Sequence, residues 1–550
     1  MGDVRRIDAA DRLIERLADP DLHVRVQAAI ALGKLKHEPA IGPVFAMLRD
    51  NADRDPFLRH AGVMALLGIG NAEAVLRYAN DPSPAARLAV ILVLRRLEDP
   101  RIARFLTSPD PKLATEAARA INDLPIEAGT PALARLIASP LLKPRPEIEP
   151  LARRAINACF RLGGRDEAEA LAAFAADPQQ SSTMRAEALA ALGDWERPSP
   201  RDRVTGFWRP LPKRDVAVAR GIVEGLTKRL LAEPSGPLQA RAIEVAGKLG
   251  VSVDRDALQA ILADPNRSPA LRLASLRRLG GLKAGGIDEI LATAFSSGDQ
   301  ALRIEARRIL NEIDPDRGLK SIQTALDDAT APTRERQETI ALLGKSKSPA
   351  AAALLSQRLN DLVAGNAPSE LGLDIVEAAS ERGTPELRAA LARWESSRPK
   401  NDPSDAFRTS LDGGDASKGR EIFTGHRLAQ CGRCHSVGGS GGTAGPDLSK
   451  VAAQADRKTL RQSLIEPDAK ITPGFGTVAL SMRDGRVVTG AIKSEADGIV
   501  VVEPPDGRPI RLTVGEIDER STSKSAMPAM GTILSPRELR DIIEYLSTLK

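Results

Sequence analysis

The sequence predicts a mainly α chain: a solenoid of stacked antiparallel helix pairs, then a smaller helical domain carrying an antiparallel β insert. Three observations predict this. An Asp-Pro turn, an arginine and an alanine-rich segment recur through residues 1–397. Aromatic residues make up only 3% of the 550, so the helices must pack through small side chains. From about residue 474 the apolar period changes from helical to alternating and stays so to about 518.

The recurring unit opens at Asp19-Pro20 with Arg25, at Asp55-Pro56 with Arg59, and at Asp81-Pro82 with Arg87. Asp110-Pro111 repeats the turn with Glu116 near the arginine position. Further copies are Asp177-Pro178 with Arg185, Asp264-Pro265 with Arg272, Asp299 with Arg303, and Asp328 with Arg334. The last three arginines are 31 residues apart, which is a HEAT-like helix pair at the short end of that class. Proline suits the first turn of a helix and breaks anything longer, so each Asp-Pro ends one helix and starts the next. One pair is too thin to bury its own apolar face, so neighbours must stack. The arginines are expected to bond turn carbonyls or the neighbouring Asp, forming a ladder without catalytic meaning.

Residues 194–218 interrupt the period and hold two of the three tryptophans, Trp195 and Trp208. Such an insertion is either a docking site or a plug over a break in the stack. Residues 398–414 are rich in Pro, Asn, Asp, Ser and Gly and read as a linker. With few contacts expected along it, residues 411–550 should fold alone. The formal charge is +5 with no lysine-arginine block, which speaks against nucleic-acid binding. No apolar run reaches membrane-spanning length. Cys159 stands alone and reads as a small core residue.

The other two cysteines stand together in Cys431-Gly432-Arg433-Cys434-His435. One helical turn puts both sulfurs on one side, where each can form a thioether to a porphyrin vinyl group, and His435 can then reach the iron. A zinc half-site is the bland alternative, but zinc normally takes four ligands, and His426 is the only other candidate nearby. A thioredoxin-like pair would sit between a strand and a long helix, whereas a glycine-rich loop, Gly438 to Gly445, follows here. The motif therefore points to one covalently held haem c.

Its surroundings agree. Asp415 to Phe423 reads as a short helix capped by Asp415, and Gly445-Pro446-Asp447-Leu448 as a rigid turn after the motif. Pro446 in that turn is counted with Cys431 and Cys434 among the cofactor-binding residues. Residues 535–546 read as a helix capped by Ser535 with Pro536 in its first turn. This resembles the class I cytochrome c pattern, in which first and last helices cross beside the haem. The resemblance implies that Gly419 and Phe423 meet Ile542 and Tyr545, and that a methionine ahead of the last helix is the second axial ligand. Met527, stiffened by Pro528, is the expected ligand, with Met530 as substitute. Met482 sits in a strand-like stretch and reads as core.

The β insert is expected as four strands at 477–482, 486–492, 499–503 and 510–514, turning at Asp484-Gly485, Asp497-Gly498 and Asp506-Gly507. The run of CxxCH, Gly445-Pro446-Asp447-Leu448, Ile465-Glu466-Pro467, Ile471 to Phe475, Met527-Pro528 and the terminal Tyr545-Leu546 helix is similar to a haem-binding family of the Pirellula/Verrucomicrobium type. Members of that family often carry HEAT repeats before the haem domain, commonly after an exported β-propeller resembling soluble sugar dehydrogenases.

The resemblance implies electron transfer. The haem would accept electrons from a dehydrogenase, in the same longer chain or separate, and pass them to a periplasmic acceptor, with the solenoid as docking scaffold. The alternative is a haem-based redox or gas sensor, which needs an open distal position; carbon monoxide binding by the reduced protein separates the two. No catalytic constellation is found for an enzyme in its own right. Because haem is attached at CxxCH outside the cytoplasm, a periplasmic or otherwise exported protein is expected. Met1 to Arg6 holds no apolar signal core, so the chain is expected to be the C-terminal part of a longer exported protein.

Overall fold

The computed structural model of the chain describes residues 6–233, 236–282, 286–399, 402–504 and 507–550. Two compact units divide it, residues 1–293 and 294–550. The expectation for Met1 to Arg5 lies outside the described residues, as do Lys400, Asn401 and the Asp506 half of the third strand turn.

In the first unit the repeated Asp-Pro turn is built in two ways. Asp55 and Asp110 cap the next helix directly, accepting from Leu58 N–H at 2.7 Å and Lys112 N–H at 2.9 Å, with Pro56 and Pro111 in the first turn. Asp177 and Asp264 instead close a local turn, and a serine four residues on, Ser181 or Ser268, caps the helix. Apolar faces meet through alanines such as Ala29, Ala65, Ala89 and Ala117, all wholly buried. That is the small-residue packing the composition requires. Cys159 is buried among them, its thiol donating to the Ala134 carbonyl at 3.4 Å.

The arginine ladder is present in part: Arg334, one of its expected rungs, is exposed, with Asp415 3.9 Å away. Arg185 donates to the Ala175 carbonyl at 2.8 Å and to Glu233 at 2.7 Å, and Arg272 to the Leu262 carbonyl at 2.9 Å. Each ties its own turn, and Arg185 also reaches toward the next pair of helices.

The 194–218 insert splits its two tryptophans. Trp195 is buried edge-on to Phe160 at 6.2 Å with the Arg214 guanidinium 4.8 Å over its ring. The buried Asp202 carboxylate accepts from Val204 and Thr205 N–H and from the Asn157 amide, each at 3.0 Å. These contacts make the base of the insert a plug. Trp208 and Phe207, at the tip, are exposed.

In the second unit, helices Gln300–Ile313, Pro315–Asp327, Thr333–Lys345, Ala351–Val363, Gly372–Arg382 and Pro385–Ser396 continue the stacked pairs. The stretch expected as a linker is packed instead. Pro403–Ser410 forms a kinked 3₁₀ helix with Ser404 and Ser410 buried. Arg408 lies 4.0 Å over the Trp394 ring and donates to the Trp394 carbonyl at 2.6 Å. Ser410 donates to the Pro536 carbonyl at 2.8 Å, and Gln337 to the Gly413 carbonyl at 2.9 Å. The polar side chains that made this stretch read as solvated instead satisfy backbone groups of the elements on either side.

The β insert is larger than expected. Strands β1 (Ser436–Val437) and β2 (Ser440–Gly441) pair near the CxxCH turn. The main sheet has β3 (Gly476–Met482), β4 (Val487–Ala496), β5 (Ile499–Glu503), β6 (Ile510–Thr513) and β7 (Ile517–Arg520) in the order β6-β5-β4-β3-β7. A short β8 (Lys524–Ser525) also pairs with β3, so the sheet runs past the expected end at 518. β7 is Ile-Asp-Glu-Arg, whose polarity hides any alternation. Val478, Leu480, Val500, Val502 and Leu512 fill the sheet's core together with Met482, which is core as expected. Among the described residues no helix is long and apolar enough to cross a membrane.

Candidate functional site: the CxxCH loop

The helix Ala416–Gly425 opens at Asp415, whose carboxylate accepts from Ser417 N–H at 3.0 Å. It crosses the terminal helix Pro536–Ser547, which opens with a reciprocal cap: Glu538 N–H to Ser535 Oγ at 3.3 Å and Ser535 N–H to Glu538 at 2.8 Å. The crossing is close because position 419 has no side chain. A Cβ there would collide with the Asp541 carbonyl and lie 2.7 Å from Tyr545 Cβ. One turn on, the Phe423 and Tyr545 rings stand 5.8 Å apart. Ile542 is buried in the same cluster.

This crossing roofs the motif. Cys431–Cys434 is a single helical turn, with Cys431 buried and Cys434 exposed. Burial pushes the Cys431 thiol up. His435 follows, its N–H bonded to the Cys431 carbonyl at 2.9 Å. Its Nδ1 lies 2.9 Å from the Pro446 carbonyl oxygen. A carbonyl can only accept, so Nδ1 carries the proton and Nε2 presents a lone pair. That is the tautomer a metal-ligating imidazole needs, oriented by an outer partner. Pro446, expected as a turn residue near the cofactor, is thus the group that orients the ring.

The glycine-rich loop wraps the same ring. Gly445 N–H donates to the Cys434 carbonyl at 2.7 Å, and a Cβ at Gly445 would stand 2.7–3.2 Å from atoms of the imidazole. Only glycine lets the chain lie against that face. Asp447 closes the loop, accepting from Ser436 Oγ at 3.0 Å and Ser449 N–H at 2.7 Å. Its carboxyl is held below the usual range, first by its bonds to Ser449. This clasp was not read from the sequence; the Asp-Leu-Ser spacing of an Asx turn is the signal that carries it.

His426, the other imidazole nearby, is spent on the turn. Its Nδ1 accepts from Ala429 N–H at 3.0 Å and its Nε2 faces Glu538 at 3.5 Å. Among the described residues no three His, Cys, Asp or Glu side chains gather to hold an ion. Met527 is half-buried against the apolar cluster that contains Cys431, and Met530 is buried within it. Met482 lies in the separate core of the sheet.

The residues present fit a haem c: two sulfurs on one turn, an imidazole with Nε2 free, and an apolar cluster holding two thioethers. Fold and loop together define a cytochrome c domain.

Residues 416–497 match the Cytochrome c family model. The match begins at the first helix and ends just past β4, so Met527 and the terminal helix lie beyond it. Such a domain binds haem covalently and transfers electrons. No curated protein sequence matches the chain. Among solved structures, a crystal structure of importin β in a polyethylene glycol condition is similar at 12% identity and TM-score 0.48, over 76% of this chain and 66% of that one. A crystal structure of Kap121p bound to Pho4p is similar at 12% identity and TM-score 0.45, over 93% of this chain and 60% of that one. The chain thus spans about three-fifths to two-thirds of the length of these neighbours.

Proposed function

We propose that the chain is an electron-transfer protein holding one haem c, with Cys431 and Cys434 as thioether anchors and His435 and Met527 as axial ligands. The observation that carries this reading is the bond from His435 Nδ1–H to the Pro446 carbonyl at 2.9 Å, which leaves Nε2 with the lone pair an iron ligand needs. When bound, the haem supplies a one-electron iron couple. Every other task falls to side chains. Cys431 and Cys434 fix the group covalently, His435 is held in one tautomer, and the buried cluster around Phe423, Leu460 and Ile543 keeps water away. His435 and Met527 together would leave a bound haem closed to small ligands, which favours electron transfer over gas sensing.

The electron donor in this reading is a dehydrogenase, in a longer form of the chain or separate, and the acceptor is a periplasmic carrier. The helical repeats serve as the docking scaffold, and the protein works outside the cytoplasm. These assignments draw on the resemblance to the Pirellula/Verrucomicrobium type of haem protein.

Met527→Ala tests the ligand. The ferric protein should lose its weak sulfur-to-iron absorption band, and the reduced protein should bind carbon monoxide. Met530→Ala should retain the band; the reverse pattern moves the ligand three residues on. Cys431→Ala with Cys434→Ala should leave any haem extractable by acid-acetone. Rapid carbon monoxide binding by the unmodified reduced protein would overturn the closed-iron reading in favour of a sensor.

A further inference from the structure

A thioether on three rotatable bonds is a neutral, adaptable ligand, so its hold on iron depends on how firmly its backbone is placed. Met527 lies 92 residues beyond His435 with the whole β insert between them. What positions it is therefore a real question.

The backbone answers in three links. Helix Arg457–Ile465 is anchored by Leu460 and Leu464 in the apolar cluster that holds Cys431. Just beyond it, both carboxylate oxygens of Asp468 reach β8: Oδ1 accepts from Ser525 N–H at 2.7 Å and Oδ2 from Lys524 Nζ at 3.1 Å. β8 also pairs with β3, Ser525 opposite Gly476 and Lys524 opposite Thr477. Ser525 Oγ then accepts from Met527 N–H at 3.1 Å. The chain after Met527 is stiffened by Pro528.

We propose that Asp468 is the positioning residue for Met527, and that β3 and β8 of the insert are the mount on which the distal methionine is carried. The proposal rests on the reading of Met527 as an axial ligand. Of the two Asp468 contacts, the Lys524 ion pair is well exposed and weak. The bond to Ser525 N–H is the one that fixes the strand. Asp468→Ala removes both, whereas Asp468→Asn keeps an oxygen for Ser525 and loses only the charge.

The test uses the full chain. In Asp468→Ala the ferric sulfur-to-iron band should weaken, and carbon monoxide association to the reduced protein should rise about tenfold, the equilibrium equivalent of one lost hydrogen bond. Asp468→Asn should stay within about twofold of the parent. Without haem, hydrogen exchange of the peptide spanning residues 522–530 should speed up about tenfold in Asp468→Ala. Asp484→Ala, at the β3–β4 turn, is the control and should change none of these. An Asp468→Ala protein that behaves like Asp484→Ala in both band and exchange overturns the proposal. If the parent protein lacks the band, the ligand reading fails and this proposal falls with it, even where exchange still shows Asp468 pinning the strand. Should Asp468→Ala fail to fold, Ser525→Ala cuts only the last link; it should move band and exchange in the same direction, and no movement overturns the proposal.

Discussion

Two buried carboxylates in residues 294–550 do the same chemistry across very different stretches of chain. Glu335 accepts from Arg303 Nε at 3.0 Å and Arg307 Nη1 at 2.5 Å, 32 and 28 residues before it. Asp374 accepts from Arg537 Nη2 at 2.8 Å and Arg540 Nη1 at 2.7 Å, 163 and 166 residues after it. The first is a rung of the repeat ladder, joining helix Gln300–Ile313 to Thr333–Lys345. The second joins helix Gly372–Arg382 to the terminal helix of the cytochrome domain. The repeats thus seat the haem-binding part with the joint they use between themselves. The terminal helix has two occupied faces, apolar residues such as Ile543 toward the Cys431 cluster and arginines toward the repeats. This joint and the packed 403–410 segment remove the reason for expecting residues 411–550 to fold alone.

The largest effect should come from breaking the long-range joint. Asp374→Ala strands Arg540, whose side chain is 5% exposed, and should cost about 3–5 kcal/mol, read as the urea midpoint at which the terminal helix loses amide protection. Asp374→Leu combined with Arg540→Leu should cost less than either single change, because no charge is left buried alone. A single change no worse than exposed Arg334→Ala would reduce the joint to a surface pair.

The ladder rung should show itself in pH. Burial pushes the Glu335 carboxyl up, but hydrogen bonds from Arg303 and Arg307 outweigh it and hold the group below its ordinary 4.5. The stability it contributes is therefore fully present above that value and is lost as pH falls through the lower folded-state value. Glu335→Gln should cost about 2–3 kcal/mol at pH 7 and flatten that acid limb, measured by urea unfolding at a series of pH values. An acid limb unchanged in the variant would remove Glu335 from the comparison.

The smallest effect should lie beside the helix crossing. Burial raises the Asp541 carboxyl above its ordinary 3.8, only partly offset by the Asp415 N–H that donates to it at 2.9 Å. A raised carboxyl binds its proton more tightly when folded, so it costs stability at neutral pH and the cost fades as pH falls through the folded value. Asp541→Asn keeps an acceptor for Asp415 and should gain up to about 1 kcal/mol at pH 7, with the gain gone near pH 3. A loss instead would show that the charge is needed opposite Arg540 and Lys418.

The same pair of joints explains what was legible in the sequence. Arg303 and Glu335 stand about one repeat period apart, so a ladder could be read from spacing alone. Arg540 and Asp374 share no period, and nothing local marks them as partners. The CxxCH turn, both capped helices and strands β3 to β6 were legible because each is a short-range pattern of caps, turns and alternation. Strands β7 and β8 and the packed 403–410 segment were not, because polar residues there bond far along the chain, and the Asp447 clasp went unread although its Asx-turn spacing is local. The roles of Trp195 and Trp208 also needed the fold, since one insert contains both a plug and an exposed tip.

Cys159 has a practical consequence. Burial, with a smaller push from Glu167, drives its thiol up to about 12, so at pH 8 almost none of it is the reactive thiolate. Alkylating reagents applied to the native chain therefore reach exposed Cys434 first, whereas Cys431, buried and with its thiol also pushed up, labels slowly, and Cys159 least of all. Labelling after unfolding exposes every thiol, and a mass spectrum then counts the anchors: three added groups mark an empty motif, two a half-joined porphyrin, and one, on Cys159, a finished one. The chain carries its own gauge of maturation, and the third sulfur, always free to react once unfolded, sets its zero.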